Sequence, residues 1–129
     1  MRVLGAFGSV CLVTVLAGTL ASAHHSFSAE FDINKPVTLR GALTKMAWTN
    51  PHSWLYLDVK DAECKVVNWA VELGSPNLLF RRGLRRADFP PGLEVIVDGY
   101  LAKDGSPTAN AFTVKTTDGA QLLYGKDTS

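Results

Sequence analysis

After residue 26 the chain alternates apolar and polar residues one for one, in runs too short to line a helix face. The runs are Phe27, Ala29, Phe31 and Ile33; Val37, Leu39, Gly41 and Leu43; Leu55, Leu57 and Val59; Val67, Trp69, Val71 and Leu73; Val95, Val97, Gly99 and Leu101; then Phe112 and Val114. A strand sends successive side chains to opposite faces, so each run supplies one apolar face for a shared core. Between the runs lie Asn34-Lys35-Pro36, Thr49-Asn50-Pro51, Asp61-Ala62-Glu63-Cys64, Lys103-Asp104-Gly105-Ser106 and Thr117-Asp118-Gly119. These are residues that turn a chain. A last short strand is expected at Gln121 to Tyr124. Met46 and Trp48 fall on the parity opposite to Leu39 and Leu43, the phase flip of a β-bulge inside one long strand, with Gly41 easing the bend.

One segment breaks the alternation. Ser75 suits a helix N-cap, Pro76 the first helical position, and Gly83 the stop after Arg82. The result is a helix of about two turns carrying Leu78, Leu79 and Phe80. Asp88 to Gly92, with Pro90-Pro91, reads as a loop. Three strands, a short helix and two strands, the first strand long and bulged, is the order of the five-stranded oligonucleotide/oligosaccharide-binding (OB) barrel. The expected fold is therefore all-β with one short helix, an OB-like antiparallel barrel with an extra N-terminal strand. A lipocalin-like or immunoglobulin-like fold would not explain the helix. With 129 residues, 47% of them hydrophobic, the chain suffices for one domain.

The first residues follow another logic. Met1-Arg2 carries one charge, Val3 to Leu20 carries none, and Ala21-Ser22-Ala23 closes the run. A charged start, an apolar stretch and an A-x-A site describe a secretory signal peptide over residues 1–23. An uncleaved membrane anchor is the rival reading. Cys11 follows Val10 near the start, unlike a lipid-attachment cysteine, and there are no twin arginines. The general secretion route to a bacterial-type periplasm, or beyond it, is expected. Removing 23 of the 129 residues leaves 106, His24 to Ser129; losing Arg2 from 13 basic residues leaves 12 against 12 acidic ones. Cys64 is then the lone cysteine. It permits no internal disulfide and reads as an incidental surface thiol.

Several stretches resemble a family of small secreted bacterial proteins of unknown function whose mature chains open His-His-Ser-Phe. They are His24-His25-Ser26-Phe27, Phe31-Asp32-Ile33-Asn34-Lys35-Pro36-Val37, Trp48-Thr49-Asn50-Pro51-His52, Trp69-Ala70-Val71-Glu72-Leu73-Gly74-Ser75-Pro76 and Gly99-Tyr100-Leu101-Ala102-Lys103-Asp104-Gly105. The resemblance spans the mature chain and implies a secreted β domain without a catalytic assignment. Where such sequences read Asp-Ala-Asp-Gly-Lys at the hairpin tip, this chain has Glu63-Cys64 in place of Asp-Gly.

The histidines carry the most chemistry. An N-terminal His24 would offer an α-amine and an imidazole to one metal ion, and a further histidine would complete a nitrogen set suited to copper. Metal binding would displace the proton of the amine. A hairpin about Asn34–Pro36 would set His24 and His25 opposite Met46 and Lys45, one turn from His52. The candidate metal ligands are thus His24, His25 and His52. The plain alternative is a solvated terminus and a histidine that caps the turn after Pro51.

A second cluster comprises Arg81, Arg82, Arg85 and Arg86, which with Trp48 and Trp54 could bind an anionic ligand or an envelope partner protein. Neutral mature charge and export argue against nucleic acid. The plain reading is a solvated helix end, where cations are favoured. No G-x-S-x-G elbow, P-loop or H-E-x-x-H occurs, and Asp58, Asp61, Glu72 and Asp98 are scattered. A binding protein is expected rather than an enzyme.

Overall fold

The computed structural model describes residues 27–124. Its strands are β1 (Phe31–Ala47), β2 (Trp54–Lys60), β3 (Val66–Glu72), β4 (Glu94–Ala102), β5 (Thr108–Thr116) and β6 (Gln121–Tyr124). A helical turn, α1 (Phe27–Glu30), precedes them. Helix α2 (Pro76–Arg81) and a 3₁₀ turn (Arg86–Asp88) lie between β3 and β4. β1 pairs antiparallel with both β2 and β4, β2 with β3, and β4 with β5. A short parallel contact of β3 with β5 closes a ring of five strands, and β6 extends it from β5. The all-β architecture and the strand order expected of an OB-like barrel are both present.

The alternation explains the ring. Leu39, Leu43, Leu55, Leu57, Val71, Val95, Val97, Ala109 and Val114 are buried and form its interior. Leu79 of α2, with Leu84 and Phe89 beyond it, joins the same core. Helix α2 starts where Ser75 Oγ accepts the Leu78 N–H at 3.3 Å, and Gly83 turns the chain away at φ +87°. The bulge lies between Leu43 and Lys45, after which Met46 pairs with Leu55. Gly41 does more than ease a bend. A Cβ there would sit 2.3 Å from the Asp58 carbonyl oxygen, so its lack of side chain lets β2 approach. Gly99 plays the same part against Asn110 of β5.

Two expectations are overturned. The run from Phe27 to Ile33 is not one half-buried strand: Phe27–Glu30 is the helical turn α1, and Ile33 is 59% exposed. No hairpin forms about Asn34–Pro36: β1 runs unbroken for 17 residues, so the extra N-terminal strand is its first part. Its partner there is β4, with Phe31 opposite Ala102 and Pro36 opposite Tyr100. The turn-forming residues occupy the register shift between those pairs, where Asp32 accepts the Asn34 N–H at 3.0 Å. Turn chemistry here produces a bulge because pairing with β4 holds both sides of it. The chain therefore enters beside Ala102 and Lys103, and the inferred pairing of residues 24 and 25 with Met46 and Lys45 lapses.

Candidate functional site

Cross-strand pairing lines up one row of side chains. Trp54 pairs with Glu72, Glu72 with Asn110, and Asn110 with Tyr100. Their neighbours Leu55, Val71 and Ala109 face the core, so this row lies on the outer face of the barrel. Glu72 is nevertheless only 7% exposed. His52 covers it. The loop carrying His52 is bound to the end of β3: the Ser53 N–H donates to the Gly74 carbonyl (3.0 Å), and the Leu73 N–H donates to the Ser53 carbonyl (2.8 Å). Thr49 Oγ1 donates to the His52 carbonyl at 2.8 Å, and the Asn50–Pro51 peptide bond is cis.

This scaffold sets His52 Nδ1 at 3.1 Å from Glu72 Oε1. Asn110 Nδ2 donates to the same oxygen at 3.3 Å. If the Glu72 carboxyl is ionised it can only accept, which places a proton on Nδ1 and leaves the lone pair of a neutral ring on Nε2. The His52 side chain is 33% exposed. A buried carboxylate turning a half-exposed imidazole is the arrangement that orients histidine ligands of metals. The neighbouring Ser53 Oγ is fully buried, with no hydrogen-bond partner among the described residues.

His24 and His25 lie outside the described residues. Phe27, where the described residues begin, is packed against aromatic rings. Phe27 stacks on Phe31 (5.7 Å between centroids) and meets Tyr100 edge-on (5.6 Å), while Tyr100 contacts Phe112 (5.2 Å). Lys103 holds α1 from below, its N–H donating to the Glu30 carbonyl and its Nζ to the Ser28 carbonyl. Among the described residues, no group of three or more His, Cys, Asp or Glu is gathered to hold a metal ion.

The six residues of the second cluster do not form one surface. Trp48 stacks on Phe80 (4.9 Å, 4° between planes), meets Phe89 edge-on, and lies beneath the Arg86 guanidinium at 5.4 Å. Arg85 Nη1 donates to the Phe80 and Leu84 carbonyls, and the Arg85 N–H donates to Asp88 Oδ2. Trp48, Arg85 and Arg86 thus fasten α2 and the 3₁₀ turn to the barrel. Arg81 ends α2 and Arg82 caps it. Trp54 instead lines a groove with Phe31, Lys103 and Thr108. Cys64 is exposed and unpaired, at the β2–β3 hairpin tip.

Glu72 stands in the sequence as one of several scattered carboxylates without a role. It sits in Trp69-Ala70-Val71-Glu72-Leu73, an otherwise apolar run, and an ionisable side chain there needs a partner. That was the available signal. In the fold Glu72 stands against His52. Asn110 carried no such signal.

Among the described residues, no helix is long and apolar enough to cross a membrane. No curated protein and no solved structure matches the chain. A family model does match, over residues 12–111. The match takes in the loop that carries His52 and the strands that carry Glu72, Asn110 and Tyr100. On that match the chain belongs to DUF6152, a family of unknown function.

Proposed function

We propose that this protein is a secreted, periplasmic copper-binding protein whose site is formed by the His24 amine and imidazole with His52, and with His25 as a further ligand. The observation that carries the reading is the pairing of His52 Nδ1 with buried Glu72, which leaves the other ring nitrogen as the one available to a metal. Chain length supports it. Tyr100, against which Phe27 rests, stands two strand spacings from Glu72, about 10 Å. Three residues of extended chain span about 10 Å. The segment from Phe27 back to His24 thus spans a length comparable to the separation of Tyr100 from Glu72, and the His24 and His52 side chains add their own reach.

The reading requires removal of residues 1–23, since only then does His24 carry a terminal amine. Neutral amine and imidazole nitrogens match the tetragonal preference of Cu(II). Binding alone accounts for the arrangement, and no nucleophile or acid–base pair is invoked.

The test is a Cu(II) titration of protein exported and processed by its host, followed by visible absorption and electron paramagnetic resonance. Intact mass should correspond to a chain starting at His24. His52→Ala, and one residue added ahead of His24, should each weaken binding at least tenfold, whereas Arg82→Ala should not. Equal affinity in all four forms would refute the site. So would a mature chain that retains residues 1–23.

A further inference from the structure

A groove of about 500 Å³ opens where α1 meets the barrel, between the start of β2 and the β4–β5 loop. Pockets of roughly 300–1,000 Å³ are the size that takes small ligands. Its floor includes Phe31, and Trp54 lends an indole to one wall. Trp54 lies on the outer face because its neighbour Leu55 is fully buried, and its ring is half-buried. Opposite are Asp104, Ser106 and Thr108 of the loop and the first residue of β5. Asp104 Oδ1 accepts the Ser106 N–H at 2.9 Å, and Ser106 Oγ donates to Thr108 Oγ1 at 3.0 Å. A carboxylate has about four acceptor positions, so Asp104 retains acceptor capacity toward the groove.

The charges decide which ligand fits. Among the described residues, Glu30 and Asp104 line the groove beside a single cation, Lys103, whose Nζ is already engaged with the Ser28 carbonyl. No arginine among the described residues lines it. Phosphates, sulfates and nucleic acids need free cationic donors and are disfavoured next to two carboxylates. Two carboxylates less one lysine leave these lining residues with a net charge of about −1, too weak a field to select a polycation. What remains is an aromatic face bordered by hydroxyl and carboxylate acceptors. A pyranose ring complements both: its C–H face packs on the indole, and its hydroxyls donate to the acceptors at the rim. Barrels with this strand order take oligosaccharides or oligonucleotides between their 1–2 and 4–5 loops, a fold-level analogy in which the local charges here favour the sugar.

We infer that this groove binds a neutral pyranose oligosaccharide, with Trp54 as the stacking platform and Asp104 as the principal acceptor. His52 does not line it, so the inference stands independently of the copper reading.

The experiment uses the chain as its exporting host delivers it, stripped of metal with chelator. Cellohexaose, maltohexaose and N-acetylchitohexaose are titrated in turn, following indole fluorescence and backbone amide shifts. At least one should bind with a dissociation constant below about 1 mM. Shifts should centre on residues 29–31, 54 and 102–108. Trp54→Ala should weaken binding at least tenfold. Asp104→Asn keeps an acceptor for the Ser106 N–H and should weaken it severalfold. If Trp54→Ala does not fold, the position of the shifts and the Asp104→Asn affinity decide the matter. The inference is overturned if none of the three sugars binds by about 20 mM, or if the shifts map elsewhere. Tighter binding of a heparin hexasaccharide or of hexalysine in the groove would overturn it too, as would undiminished binding by folded Trp54→Ala.

Discussion

Replacing Cys64 by glycine is expected to stabilise the barrel. Cys64 has φ +61°, the left-handed region, and among the described residues it is the one non-glycine residue there. The hairpin imposes this conformation. The Cys64 N–H donates to the Asp61 carbonyl (3.0 Å), the Asp61 N–H donates to the Lys65 carbonyl (2.8 Å), and Asp61 Oδ1 accepts the N–H groups of Glu63 and Lys65. Holding an L-residue in this region costs about 1–2 kcal/mol. Glycine removes that cost but loses about 0.5–1 kcal/mol through the greater freedom of its unfolded chain. The thiol is exposed and buries nothing of consequence. The net gain is about 0.5–1 kcal/mol, which for a folded unit of about 100 residues raises Tm by roughly 2–8 °C. Thermal unfolding under reducing conditions of the wild type, Cys64→Gly and Cys64→Ala would measure it. The alanine variant separates thiol from backbone, because it removes sulfur and keeps the strain. If Cys64→Gly proves no more stable than Cys64→Ala, the backbone argument is wrong.

Three other perturbations follow from single contacts. Glu72→Gln keeps an acceptor for Asn110 but removes the charge facing His52, so Cu(II) affinity should fall about tenfold with little change in Tm, as titration and thermal melting would report. Gly99→Ala would bring a Cβ to 2.3 Å from the Asn110 carbonyl oxygen, where only backbone movement relieves the clash; urea unfolding should show a loss of about 3 kcal/mol. In the β5–β6 turn, the Thr116 hydroxyl and the Ala120 N–H hold the Asp118 carboxyl below its ordinary pKa of 3.8. A folded pKa below the unfolded one means that this turn is fully stabilised above the ordinary carboxylate range and loosens as pH falls through the lowered value; amide exchange at Gly119 and Ala120 read against pH should show that direction.

The sequence alone determined what depends on neighbouring residues. Strand period, the bulge after Leu43, the cap at Ser75 and the stop at Gly83 were all legible, because each arises from pleat, dihedral preference or a hydrogen bond a few residues long. Parity alone identified the core, since Leu55, Leu57, Val71, Val95 and Val97 could share an interior only from one face of their strands. The strand order of the ring was also within reach. What tertiary structure decided is where the ends of strands meet. Asn34-Lys35-Pro36 carries the same chemistry in a turn and in a bulge, and only pairing with β4 selects the bulge. His52, Glu72 and Asn110 lie 20 and 38 residues apart along the chain, and they meet because a loop is bound to the end of β3 while β5 runs parallel beside it. Trp48 and Trp54 flank one short loop, yet one fastens a helix and the other lines a groove. Local preferences carry no information about such encounters, because their free energy comes from burial and pairing between segments distant in sequence.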